Sequence, residues 1–252
     1  MPLEMALRAA RVRYGPLEAL HGIDLPVPAG TLTLLLGPNG SGRTTVLRAL
    51  AGSVPLSSGR VLWHGADVTR IRAHQRARRG LCFVPDREAV YPSLTVADNL
   101  GLFSPGARYD AALDAYPALA ALLSRPAGTL SGGEQRMLAL SRALLSADAS
   151  VLLFDEPTQG MSPAVAARTY ALLAIRAAGS GAAVVLAEQR VPAALARAGV
   201  LVHELRRGAV VFSGEATERR PSEPTPRARE PEEPEAPEAP QAPQAPQEPE
   251  RP

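Results

Sequence analysis

One stretch limits what this chain can fold into more than any other: Gly37-Pro38-Asn39-Gly40-Ser41-Gly42-Arg43-Thr44-Thr45, set between an apolar hexamer and a helical pattern. The hexamer Thr31 to Leu36 reads as a buried parallel strand and Thr44 through Ala51 reads as a helix, so the glycines fall at a strand-to-helix turn. Such a turn cradles phosphates. Glycine lets the backbone curl until successive N–H groups point inward, and the helix N-terminus adds partial positive charge. The Thr44 hydroxyl stands where it can reach Mg2+. The pattern asks for lysine at position 43, and this chain has arginine. Arginine keeps the charge but not the shape, because its planar five-donor fork is wider than an ammonium. A misplaced charged hydrogen bond there is worth roughly 1.5–3 kcal/mol, about ten- to a hundredfold in affinity. All 27 basic residues of the chain are arginine, so Arg43 also fits the chain's general usage. The sequence leaves a tolerated exchange and a disabled site both open.

Two further motifs narrow the class. Val151-Leu152-Leu153-Phe154-Asp155-Glu156 is an apolar strand ending in two carboxylates, with Asp155 for the metal and Glu156 for a water. Leu130-Ser131-Gly132-Gly133-Glu134-Gln135 precedes a helix predicted from about Glu134 to Ser146, a second anion-binding helix start. Two phosphate-binding ends on one chain imply a nucleotide sandwiched between two subunits.

In this order and at these separations, the three motifs resemble those of the ATP-binding subunits of ABC transporters, over roughly residues 6 to 215. The resemblance implies an α/β fold: a P-loop ATPase domain with a mainly parallel sheet, a small antiparallel sheet and a helical subdomain. The domain is expected over 1–215, with the helical subdomain at about 90–145. ATP is expected against Gly37, Pro38, Asn39, Gly40, Ser41, Gly42, Arg43, Thr44 and Thr45, with Ser131, Gly132, Gly133, Glu134 and Gln135 covering it from a neighbouring chain. Tyr14, just after a strand predicted from Leu7 to Val12, is expected to stack on adenine; the alternative is a tyrosine packing at a strand end. Mg2+ is expected on Thr44, Asp155 and Asp86, and catalysis on Glu156, Gln189 and Asp86.

The resemblance narrows at Val84-Pro85-Asp86 and Pro92-Ser93-Leu94-Thr95-Val96. Subunits of branched-chain amino acid importers typically carry Val-Pro-Glu and then Pro-Ser-Leu-Thr-Val; Asp86 is one methylene short. Glu188-Gln189 puts glutamine where the usual switch histidine stands, as in one ATPase of that importer type, and Gly160-Met161-Ser162-Pro163 resembles its loop after the catalytic strand. Arg190 stands where asparagine is usual. The resemblance thus implies an ATPase coupled to import of branched-chain or related amino acids, with amides or urea as near alternatives. Its implied partners are a sister ATPase, as homo- or heterodimer, two transmembrane permease subunits and an extracytoplasmic substrate-binding protein. The rival reading is a catalytically weak regulatory or structural subunit whose sister does the turnover. A soluble ABC ATPase of translation or DNA repair fits less well, since such chains normally carry two cassettes or a long coiled coil.

No run of 18 or more apolar residues occurs and no leader pattern opens the chain, so a peripheral place on the cytoplasmic face of the cell membrane is expected. Cys82, in the apolar strand Leu81 to Val84, reads as a buried structural thiol. The four histidines show no metal spacing. Arg70, Arg72, Arg76, Arg78 and Arg79 read as an Arg-rich surface segment near a membrane rather than a nucleic-acid site, because no aromatics interleave them. After the phosphate loop the pattern alternates: helix at about 162–177, strand at 182–187, short helix at 191–197, strand pieces at 200–202 and 209–212. Segments around Leu7 and Arg60 to Trp63 read as the small antiparallel sheet, with Trp63 in the core. Residues 216–252 read as a disordered Pro/Glu/Ala-rich tail, with 11 prolines after residue 220.

Overall fold

Alternation of apolar residues on both faces of short strands sets the architecture, seen in a computed structural model that describes residues 2–102, 109–196 and 199–218. In chain order the elements are β1 (Leu3–Tyr14), β2 (Leu17–Pro28), β3 (Leu32–Leu36), α1 (Arg43–Ala51), β4 (Ser58–Trp63), β5 (Ala66–Asp67), α2 (Ala73–Ala77) and β6 (Leu81–Val84). There follow α3 (Val96–Gly101), α4 (Asp110–Ala115), α5 (Gly132–Leu145), β7 (Val151–Asp155), α6 (Pro163–Ser180), β8 (Ala183–Glu188), β9 (Leu201–Arg206) and β10 (Ala209–Glu215). Short 3-10 turns lie at Pro117–Leu122, Ala127–Thr129 and Ala193–Leu195.

Two sheets result. The small one is antiparallel with order β2-β1-β4-β5; the large one has order β10-β9-β3-β8-β7-β6. In the large sheet β9, β3, β8, β7 and β6 run parallel and only β10 pairs antiparallel, at the edge. A parallel sheet must be covered on both faces. Leu34, Leu36, Leu152, Phe154, Val184 and Leu186 pack into one core with residues of α3, α5 and α6. Leu35, Val151, Leu153, Val185 and Ala187 enter the other, with α1 and the small sheet. Each such side chain, fully buried, contributes about 1.5–3 kcal/mol, so a single-residue register slip in β3 would exchange both sets. Trp63 is buried, and its indole N–H donates to the Glu4 carboxylate at 3.0 Å.

Three expectations need correction. Arg76 is not a surface charge: it is 1% exposed. Its guanidinium donates to the carbonyls of Ala49 (2.9 Å) and Leu50 (2.6 Å) at the end of α1, and to those of Val68 (2.7 Å) and Ile71 (2.9 Å). Burial pulls its pKa down to about 10, which leaves it charged at neutral pH. The predicted helix at 191–197 is only a 3-10 turn, because Pro192 holds an extended conformation before it; Arg197 lies outside the described residues. Cys82 is half-buried rather than buried, and burial pushes its thiol pKa up. The tail expected over 216–252 lies, from residue 219, outside the described residues.

Candidate functional site

The carboxyl ends of β3, β8 and β7 lie side by side, and at such ends open parallel sheets bind ligands. The turn after β3 carries the glycine loop. Gly37 has φ +153, and a Cβ on it would lie 2.4 Å from the Leu205 carbonyl oxygen and 2.5 Å from Ser41 Oγ. Gly42, at φ 106, starts α1 with no side-chain cap. The first-turn amides of α1 therefore have neither an intrahelical acceptor nor a cap, and the positive end of the helix dipole faces the same way. By contrast α3, α5 and α6 are capped by Thr95, Ser131 and Ser162.

Arg43, the first residue of α1, is 6% exposed. Its Nη2 donates to Glu156 Oε1 at 3.0 Å and to Asn39 Oδ1 at 3.2 Å, while its buried Nη1 has no partner. Glu156 follows β7 with φ +46, a left-handed conformation that an L side chain adopts only when its surroundings hold it there. Two contacts do so: its N–H donates to the Ala187 carbonyl at 3.0 Å, and Gln189 Nε2 donates to its Oε1 at 3.2 Å. Asp155 is 2% exposed, and its Oδ2 has no partner. Burial raises its pKa, opposed by a hydrogen bond from the Thr44 side chain. A buried, unpaired carboxylate oxygen beside a threonine hydroxyl suits a hard, oxygen-seeking cation such as Mg2+, which needs only one or two protein carboxylates when phosphates complete its shell.

Beside these groups lies a half-buried chain of hydrogen bonds. Tyr170 OH donates to Glu188 Oε1 at 2.6 Å and lies 2.7 Å from Thr158 Oγ1. Burial pushes the Glu188 pKa up to about 7, against the Tyr170 hydrogen bond, with the charges of Glu156 and Asp155 adding to the rise.

A cavity of 890 Å3 opens over the loop. Asn39 to Thr45 line it together with Asp86, Asp155, Glu156 and Tyr14, so residues far apart in sequence meet there. Tyr14 is 42% exposed on its wall. Sequence reasoning missed Arg207 and Gly208, in the turn between β9 and β10, which also line it. That turn is tied down: Gly208 N–H donates to the Ser41 carbonyl and His21 N–H to the Gly208 carbonyl, both at 2.9 Å. Nothing in residues 207–208 alone signals this, since the contact arises from sheet order. Gly37 and Pro38 shape the loop from below without lining the cavity. Gln189 reaches the site through Glu156.

Ser131 to Gln135 do not line this cavity. α5 begins at Gly132, two residues before the predicted start, and Ser131 caps it in a reciprocal pair: Glu134 N–H donates to Ser131 Oγ at 3.3 Å, and Ser131 N–H and Oγ each donate to Glu134 Oε2 at 2.8 Å. Those bonds, the backbone one first, hold the Glu134 carboxyl below its usual pKa. Gly132 and Gln135 line a second cavity, of 720 Å3, which Asp86 also borders. Arg136 donates to the carbonyls of Pro85 and Asp86 and so fixes the loop between the two cavities. Among the described residues, no group of three or more His, Cys, Asp or Glu is placed to hold a metal by itself, and no helix is long and apolar enough to cross a membrane.

A family model described as "ABC transporter" matches residues 20–159. The chain is 36% identical over 212 residues to a probable branched-chain amino acid transport ATP-binding protein, LivF, of Archaeoglobus fulgidus, covering 81% of this chain and 89% of that one. It is 35% identical over 167 residues to the high-affinity branched-chain amino acid transport ATP-binding protein BraG of Pseudomonas aeruginosa, covering 64% and 71%. Among solved structures, a nucleotide-free ATP-binding cassette from an ABC transporter superposes with a TM-score of 0.73 at 22% identity, over 86% of this chain and 92% of that one. An ATP-binding cassette in its ADP conformation gives 0.73, again at 22% identity, over 86% and 93%. At that identity the structural likeness speaks to the fold alone.

Proposed function

This chain belongs to the ABC transporter ATP-binding family, and from that premise we propose that it powers branched-chain amino acid import from the 890 Å3 cavity above residues 39–45. It is an ATP-binding, ATP-hydrolysing importer subunit that works with permease subunits. In our reading the permeases number two, a sister ATPase pairs with this chain as homo- or heterodimer, and an extracytoplasmic binding protein delivers cargo. The chain lies on the cytoplasmic face of the membrane.

The observation that carries the reading is the meeting of the uncapped start of α1, Asp155 and Glu156 around one cavity. The loop amides and Arg43 bind the outer phosphates, and Tyr14 offers its ring to the base. Glu156 orients the attacking water and takes its proton, while Gln189, held against the same carboxylate, keeps it aimed. Thr44, Asp155 and Asp86 are the residues that would hold Mg2+, which when bound supplies neutralisation of phosphate charge. Ser131 to Gln135 act across the dimer interface on the partner's nucleotide; Ser131 must then release Glu134 to offer its hydroxyl.

One observation favours a second reading, a catalytically weak subunit whose sister does the turnover. The ion pair between Arg43 and Glu156, 3.0 Å long with both groups largely buried, occupies the carboxylate that hydrolysis needs. Reconstitution in vesicles with permeases, sister ATPase and binding protein tests both. The import reading expects ATP hydrolysis that rises with leucine, isoleucine or valine; a rise only with amides or urea would displace the cargo assignment. Turnover by Arg43→Lys well above wild type would favour the second reading.

A further inference from the structure

We infer that Tyr170 is a positioning residue for hydrolysis: its hydroxyl ties the loop that carries Glu156 to the strand end that carries Gln189. The inference rests on the roles given to Glu156 and Gln189 in the proposed function.

Tyr170 lies on α6 and is 7% exposed. Its proton goes to Glu188 Oε1 at 2.6 Å, so the Thr158 hydroxyl at 2.7 Å must donate to the tyrosine oxygen, and the order runs Thr158 to Tyr170 to Glu188. Thr158 stands two residues after Glu156, and Glu188 directly precedes Gln189. The Gln189 bond to Glu156 at 3.2 Å closes the circuit. Two backbone links and three side-chain hydrogen bonds thus form one ring, with the water-orienting carboxylate on one side and its aiming amide on the other. A ring of this kind explains how Glu156 is kept at φ +46, a conformation that must be over-determined by its surroundings. The raised pKa of Glu188 agrees with its burial, and in that setting the Tyr170 proton is what one of its oxygens needs. Phenylalanine at 170 would fill the same space and remove two of the ring's three side-chain hydrogen bonds. Gln189 would then lose its fixed distance from Glu156 without any change at the phosphates.

The test is steady-state ATP hydrolysis by the assembled transporter carrying wild-type chain, Tyr170→Phe, Thr158→Val, Thr158→Ser or Glu156→Gln. Tyr170→Phe and Thr158→Val both break the ring and are each expected to lower kcat about tenfold, with KM for ATP held within about twofold. Thr158→Ser, which keeps the hydroxyl, is expected to turn over as wild type does. Wild-type kcat in Tyr170→Phe would overturn the inference. So would a fall in kcat accompanied by a matching rise in KM and a lowered thermal midpoint, since that is what a packing role alone would give. Glu156→Gln separates the two levels: its turnover must collapse if the site is read correctly, and if it does not, the proposed function fails together with the ring.

Discussion

Glu188 faces Tyr170 from α6, Glu156 and Asp155 from the end of β7, and Arg43 from α1. Its folded pKa of about 7 lies above the ordinary 4.5, so the folded state holds this proton more tightly than the unfolded chain. Below about pH 4.5 both states are protonated and the group's stabilising share is fully present; it is lost as pH rises to about 7 and is constant beyond. Urea midpoints measured from pH 4.5 to 8 should therefore show Glu188→Gln gaining on wild type across that interval and running parallel above it. Parallel curves throughout would contradict the assignment. Gly37 makes a second residue-scale case. An alanine Cβ there meets backbone oxygen at 2.4 Å and cannot be accommodated by turning a side chain. Gly37→Ala should displace the loop or β9 and reduce nucleotide binding, read by equilibrium titration, by more than the few tenths of a kcal/mol of an ordinary surface exchange.

Elements are held at their ends here, and those ends were unevenly legible. The start of α1 could be read from Gly42-Arg43-Thr44 because local spacing dictates it. Its finish could not: Arg76, which closes the α1 carbonyls from α2, looks in sequence like its neighbours Arg70, Arg72, Arg78 and Arg79. Removing it leaves the Leu50 and Ile71 carbonyls without a donor at about 1–3 kcal/mol each, while Ala49 and Val68 keep the backbone N–H groups of Gly52 and Ile71, so Arg76→Ala should lower unfolding stability by at least about 2 kcal/mol, whereas Arg78→Ala should change it by less than about 0.5. Equal losses in chemical denaturation would show that position 76 is not special. At α5 the Ser131 and Glu134 pairing was hidden for another reason: serine before two glycines reads equally as a phosphate cradle or a cap, and in the single chain it is a cap. Ser131→Ala should cost about 1 kcal/mol of stability by thermal melt, apart from any effect on turnover.

At the scale of the whole molecule, the two-sheet α/β architecture was legible because apolar strands and helices alternate at lengths that only a covered parallel sheet accommodates. What sequence could not supply were contacts that depend on strand order. The turn at Arg207 and Gly208 meets the phosphate loop because β9 lies beside β3, and Tyr170 meets Glu188 because α6 returns beneath β8. The charge balance has the same whole-chain character. Before residue 215 the chain carries 22 arginines against 15 acidic residues, yet Arg43, Arg76 and Arg136 are buried against carbonyls or carboxylates, so composition overstates the basic surface. All of this converges on one cavity and on the single unusual residue within it. Calorimetric titration of ATP with Mg2+ into wild-type chain, Arg43→Ala and Arg43→Lys tests that convergence most directly. The account predicts saturable binding by wild type, weakened about ten- to a hundredfold in Arg43→Ala; no binding by wild type, with binding restored in Arg43→Lys, would contradict it.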